Sequence, residues 1–313
     1  MSAKRITIAP ITPAYEDHGG LFDQPFEMDG GVFLGRAPEW LKDEQITNGM
    51  RADEKEDARE ASLALWTEKD LTPGLEQPAP FAALLFANFA LWLAEPTGIG
   101  FSFIVDTTWY GSQMRYFSFH NLRGIFPHVN YMHDEIAEAE LQVAREIHGR
   151  LIDVEFRKTQ GLWTAVRTCW LAMIQRDEDW DVRYLFQWVA LEALFGPENP
   201  GETVHQISER LALFLAEQGV RGAKELYRTA KRCYAWRSKL IHGRSMEKLT
   251  DAESTEISYE TDTLIRLSLR HILAGEDRIA TFASEKRRNQ YFQELMLGPR
   301  IPQVPALPTD EKD

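Results

Sequence analysis

From about Asp134 to residue 298 the chain reads as a succession of amphipathic segments cut by glycine and proline, and this pattern constrains the fold more than any other feature. Asp134 to Lys158, rich in Ala, Glu, Leu and Arg, predicts a charged amphipathic helix. Leu162 to Gln175 predicts a second. Asp181 offers an N-cap for a third, which runs through Leu194 to the breaker Gly196-Pro197. Three more follow: Thr203 to Glu217 before Gly219, Ala223 to His242 before Gly243, and Ser254 to Leu273 before Gly275. Helices with one apolar stripe bury it against one another, so residues 134–298 are expected to form an antiparallel helical bundle.

The first 133 residues have another texture. Short β-like runs alternate with Gly and Pro: Arg5 to Ile8, Gly31 to Leu34, Phe101 to Val105 and Arg115 to Phe119. Asp53 to Trp66 reads as helical between them. The expected fold class is therefore mainly α, a C-terminal bundle preceded by an α+β N-terminal domain. Residues 299–313, with Pro302, Pro305 and Pro308 and a charged end, read as a disordered tail. The most apolar run, Phe81 to Leu93, falls short of the roughly 18 residues that a membrane span needs and predicts a buried core segment. Cys169 and Cys233 lack metal-ligand spacing, and no export signal is evident. Reduced thiols in a cytoplasmic protein without membrane contact are the expectation.

A net charge of −13 excludes a surface that is basic all over, so any nucleic-acid contact must be local. The segment Arg221 to Arg244 is the one place for it. It carries Arg221, Lys224, Arg228, Lys231, Arg232, Arg237, Lys239 and Arg244 against the single acid Glu225. Acidic runs lie at Asp53 to Glu60 and Asp251 to Asp262. An anion-facing surface and a solvated helix paired with acidic neighbours both fit this distribution.

Two predicted helices hold a charge inside an apolar stripe. Leu185, Trp188, Val189, Glu192 and Phe195 share one face, as do Leu226, Ala230, Cys233, Arg237 and Leu240. Buried charges need partners, so Glu192 and Arg237 are expected to pair or share a cleft, as a structural ion pair or as part of a site. His242 follows five residues after Arg237, on an adjacent face. Ser238 shares the face of His242 and is placed to hydrogen-bond its ring. An imidazole moves protons near neutral pH, and a guanidinium holds a phosphate in a forked contact, a combination suited to phosphodiester chemistry.

Three runs carry a resemblance. Tyr184 to Gly196 resembles the first core helix of the ApeA-like group of the HEPN superfamily, and Ile207 to Leu215 is similar to its next helix. Tyr234 to Gly243 resembles the signature helix, an Arg followed after four to six residues by His, commonly with Gly next. The resemblance covers about residues 180–275. It implies a metal-independent, cofactor-free endoribonuclease acting as a homodimer in phage defence or growth arrest, under a phage-derived or cellular trigger. Arg237 would polarise the scissile phosphate and His242 would transfer a proton while the ribose 2′-OH attacks, leaving a 2′,3′-cyclic phosphate. Ser238 stands where active members often have Asn, Asp or His. Glu192 would complete the site, and Arg228, Lys231, Arg232, Lys239 and Arg244 would contact RNA. A non-catalytic module for dimerisation or for nucleotide or protein binding, and a purely structural bundle, are the competing readings.

The bare spacing recurs at Arg115/His120, Arg123/His128 and Arg266/His271. The first two sit in β-like or loop sequence. Arg266/His271 is helical, with Ser268 inside it, but lacks the basic helix and the following Gly. His128 and His133 with Asp134 and Glu135 straddle a loop-to-helix boundary and read as polar surface rather than a metal site. Ser112 and Ser118 lack a nucleophile-elbow context. Gly98 to Gly100 lacks the rest of a phosphate-cradling fingerprint. Trp163, Trp170 and Trp188 fall on helical apolar faces and read as core.

Overall fold

The computed structural model describes residues 3–12, 20–71, 81–96, 100–125, 136–175, 180–197, 203–242 and 250–297. Among them the chain is mainly helical, with one six-stranded antiparallel sheet. The strands are β1 (Ala3–Pro10), β2 (Phe26–Met28), β3 (Val32–Arg36), β4 (Leu63–Leu71), β5 (Phe101–Tyr110) and β6 (Gln113–Ile125), ordered β2-β3-β4-β1-β5-β6. The four β-like runs expected from sequence lie on β1, β3, β5 and β6. Period-two alternation gives the sheet two apolar faces. Ala9, Val32, Leu34 and Leu65 join one core and Ile8, Ala64, Phe103 and Val105 the other. α3 (Phe81–Ala94) covers the first face, with α4 (Glu138–Ile152) beside it. The second face meets α1 (Glu44–Thr47) and α2 (Ala52–Glu60) through Ile46 and Ala58.

The expected helix Asp53 to Trp66 is corrected. It ends at Glu60, and Leu63 onward becomes β4, because Leu63 and Leu65 alternate with Ala64 and Trp66 and pair with both β1 and β3. Phe81 to Leu93, expected as a buried core segment, lies on the helix α3, which is buried at Leu84 and from Ala87 onward.

The bundle continues with α5 (Gln160–Met173), α6 (Trp180–Phe195), α7 (Thr203–Glu217), α8 (Ala223–Ile241), α9 (Asp251–Leu273), α10 (Glu276–Phe282) and α11 (Glu285–Leu297). α5 packs on α6 and α7 on α8, while α9 touches α3, α4, α6, α7 and α8. The helix expected to reach Lys158 ends at Ile152. The Asp153 carboxylate accepts the Glu155 N–H at 2.9 Å, a local bond that competes with the helix, and a short 3-10 turn follows at Phe156–Lys158. Asp181 is not the cap of α6 but lies in its first turn. α9 begins at Asp251 rather than Ser254, because Thr250 and Glu253 form a reciprocal capping box.

The larger core is continuous from the sheet through α3 and α4 to Trp188, Leu215 and Leu269. The expected boundary at residue 133 and the tail 299–313 lie outside the described residues. At the junction, the turn at Asp29 to Gly31 sits tightly on α4. A Cβ at Gly149 would lie 2.1 Å from the Asp29 carboxylate, and one at Gly30, whose φ is +73°, would lie 2.4 Å from Ile152. The neighbouring His148 is buried, and its Nε2 donates to the Ala83 carbonyl at 3.0 Å.

Arginines serve the free carbonyls at three helix ends. Arg266 donates to Leu93 at the end of α3 (3.3 Å), and Arg150 donates to Leu273 at the end of α9. Arg288 and Arg210 donate to Ala193 (2.7 Å) and Gly196 (3.0 Å) at the end of α6. Each places a cation at the negative end of a helix dipole.

Candidate functional site

The expected stripe of α8 is present and fades toward its C-terminus. Leu226, Ala230, Cys233 and Tyr234 are buried, Arg237 and Leu240 are half-buried, and Ile241 and His242 are exposed. The stripe expected on α6 is rotated. Its buried face is Tyr184, Gln187, Trp188, Leu191, Leu194 and Phe195, while Val189 is 40% exposed and Glu192 sits at the margin rather than inside. The helix ends at Phe195, and Gly196 after it has no room for a side chain, since a Cβ there would lie 2.4 Å from the Glu192 carbonyl oxygen.

Glu192 and Arg237 do come together. Arg237 Nη2 lies 2.8 Å from Oε1 and 3.0 Å from Oε2 of Glu192, with the side chains 20% and 26% exposed, Arg237 first. The Tyr234 ring, one turn earlier on α8, lies 5.3 Å from the guanidinium carbon and packs edge-on against Trp188 at 5.1 Å. Burial pushes the Tyr234 hydroxyl above its ordinary pKa, and the Glu192 charge and a hydrogen bond to it add to the effect. The guanidinium is thus held in one place by a carboxylate and a ring. Its Nε is buried and has no acceptor among the described residues. Tyr234 is the member of this group that sequence reading missed, although its i, i+3 spacing from Arg237 could have signalled it.

His242 occupies the C-cap of α8 and is exposed. Its contact with Ser238 is through the backbone, N–H to carbonyl at 3.2 Å, in place of the expected bond to the ring. The cap geometry fixes that contact: the last N–H of the helix returns to the carbonyl four residues back.

The basic surface divides into two groups. Arg232 pairs with Glu256 of α9 at 2.8 Å, and Arg221 with Glu260 at 3.4 Å, so part of the acidic run Asp251 to Asp262 is the counter-charge of α8. Arg228 and Lys231 are exposed and Lys239 is half-buried, its Nζ 3.6 Å from the Trp236 ring centre. None of these three belongs to an ion pair among the described residues. Arg244 lies outside the described residues.

The rival spacings lead elsewhere. Arg266 is buried against the end of α3. His271 is half-buried, its pKa lowered by burial and then by Arg270, Arg278 and Arg266. Arg115 and His120 lie on a strand, where Ser118 Oγ is 3.3 Å from His120 Nε2 and the His120 ring is 4.2 Å from Phe81. His128, His133, Asp134 and Glu135 lie outside the described residues. Both cysteines are buried free thiols. Burial pushes Cys169 far above the usual thiol range and Cys233 up to about 11.

The most deeply buried charges escaped sequence reading. Arg183 of α6 meets Asp262 of α9 at 3.4 Å, and Gln187 donates to the same carboxylate oxygen at 2.6 Å, all within the core. Among the described residues no group of three His, Cys, Asp or Glu is placed to hold a metal, and no helix is long and apolar enough to cross a membrane. No protein-family model matches the chain, and none of the curated proteins or solved structures does.

Proposed function

We propose that the chain is a metal-independent endoribonuclease of HEPN type, with Arg237 and His242 acting on the RNA backbone. One observation carries this reading. The last turns of α8 leave the core and bring a braced, partly exposed guanidinium and a solvent-exposed imidazole to the same helix end. Glu192 and Tyr234 fix the Arg237 head, and the exposed part of the guanidinium is the donor that would meet a phosphate oxygen. His242 takes or gives the proton as the 2′-OH attacks, and the leaving 5′-oxygen departs from a 2′,3′-cyclic phosphate. Arg228, Lys231 and Lys239 supply positive charge along the same helix. Val182 and Val189 leave an exposed apolar strip on α6 that leads to Glu192, a surface for a second copy of the chain.

The test is cleavage of single-stranded RNA in EDTA. The parent chain is expected to cut RNA and not DNA. His242→Ala and Arg237→Ala are each expected to slow cutting by about 10²–10⁴-fold while remaining folded. Cutting at the parental rate by both variants contradicts the reading. A second reading, a non-catalytic binding or dimerisation module, is favoured by the neutralisation of Arg237 by Glu192. It expects no cleavage of any RNA and retained binding of a partner or nucleotide.

A further inference from the structure

The face of the sheet away from α3 carries an open cleft of about 140 Å³. Alternation along β4 turns Trp66 and Glu68 to this face, and the register sets Ile8 beside Trp66 and Ile6 beside Glu68. Arg36 at the end of β3 and Trp40 of the 3-10 turn Glu39–Lys42 join the lining. Both indoles are braced from behind. Trp66 stacks on Phe33 with ring centres 5.8 Å apart, and Gly35 leaves room for it, since a Cβ there would lie 3.0 Å from the Trp66 ring. Trp40 meets Trp109 edge-on at 5.6 Å. Trp109 Nε1 donates to the Thr107 hydroxyl at 2.9 Å, and that hydroxyl donates to the Ile6 carbonyl at 3.0 Å. The two aromatic walls are therefore set before a ligand arrives.

The cleft is well below the roughly 300–1,000 Å³ of a site that encloses a drug-sized ligand, so it admits one flat ring system and leaves the rest outside. Indole faces take other π-systems or cations, and Arg36 in the lining disfavours a cation. Glu68 then selects among flat rings. An ionised carboxylate only accepts hydrogen bonds, and its two oxygens take a pair of adjacent donors together. Lys4 pairs with Oε2 of Glu68, and the roughly four lone-pair sites of a carboxylate leave room for more donors. Among the common nucleobases only guanine sets two donors side by side, N1–H and the N2 amino group. Adenine and cytosine set a donor beside an acceptor, and uracil sets one between two acceptors. Arg36 and Asp23 pair at 2.7 Å with side chains 62% and 68% exposed, a contact in water weak enough for a phosphate to exchange with Asp23.

We propose that the Trp40/Trp66 cleft binds a guanine mononucleotide. The base lies against the indoles with its N1–H and N2 amino group on Glu68, and the phosphate stays outside at Arg36. The proposal is independent of the ribonuclease reading, since the cleft lies on the sheet and not on α6 or α8.

The test is isothermal titration calorimetry of the full chain with GMP, AMP, CMP and UMP. GMP is expected to bind at one per chain, and the other three about tenfold or more weaker. Glu68→Gln keeps the shape of the side chain but turns one acceptor into a donor. It is expected to weaken GMP binding by about tenfold or more and not that of AMP. Trp40→Ala is expected to weaken GMP by about tenfold, because stacking on a ring contributes to the affinity of any base. Glu68→Gln leaves both indoles and the core in place, so its result stands even if Trp40→Ala fails to fold. No binding of GMP, equal binding of the four nucleotides, or undiminished GMP binding by Glu68→Gln overturns the proposal.

Discussion

Arg237 is the residue on which structure and chemistry meet. Its carboxylate partner sits at the edge of the core, so removing the cation strands a partly buried charge. Arg237→Ala is expected to lower unfolding stability by about 1–3 kcal/mol in denaturant titrations. His242→Ala, at an exposed cap, is expected to change it by less than about 0.5 kcal/mol. A large loss for His242→Ala would mean that its ring is structural. The pairing of Glu192 with Arg237 was legible because both break an apolar period of 3.6, and a charge in such a stripe needs an answer. The exact facing of Glu192 was not. On α6 the exposed Val189 and the buried Arg183 and Gln187 invert the usual hydrophobic code, and the inversion makes sense only once Asp262, 79 residues away from Arg183, is in place.

That buried pair fixes α6 against α9 and gives predictions at the scale of elements. Asp262→Ala is expected to cost about 3–5 kcal/mol by leaving Arg183 unpaired in the core, whereas Arg183→Met/Asp262→Leu recovers much of the loss. An equal loss in the single and double variants, by chemical denaturation, would show that the pair is not what the core depends on. The end of α6 is set with similar rigour. Gly196→Ala forces a methyl onto the Glu192 carbonyl and is expected to cost about 1–3 kcal/mol. Helices were legible by period and by breakers such as Gly196 and Gly219, the latter at φ +75°. The β4 strand was hidden by an acidic helical run ahead of it, and its pairing with β1 and β3 comes from residues more than 25 positions away.

At the scale of the whole molecule, the sheet and bundle share one core, and the junction contains a titratable group. Burial lowers the pKa of His148 below its ordinary 6.5, and burial with three arginines does the same to His271. Between those lowered values and about 6.5 the unfolded chain binds protons that the folded chain refuses, so stability is complete above about 6.5 and declines as the pH falls below it. Melting temperatures at pH 7.5 and pH 5.5 are expected to fall in that order, with a smaller drop in His148→Gln. An unchanged drop would remove His148 from the account. The architecture as two apolar sheet faces, one serving as the floor of the bundle, was not legible, because alternating strands do not reveal which layer each face meets. What the molecule does turns on the chemistry proposed at the end of α8. The most direct test is end-group analysis of RNA incubated with the parent chain and with folded His242→Ala in EDTA. The predicted result is 2′,3′-cyclic phosphate ends from the parent and none from the variant. Intact RNA with the parent, or the same ends at the same rate from both, contradicts it.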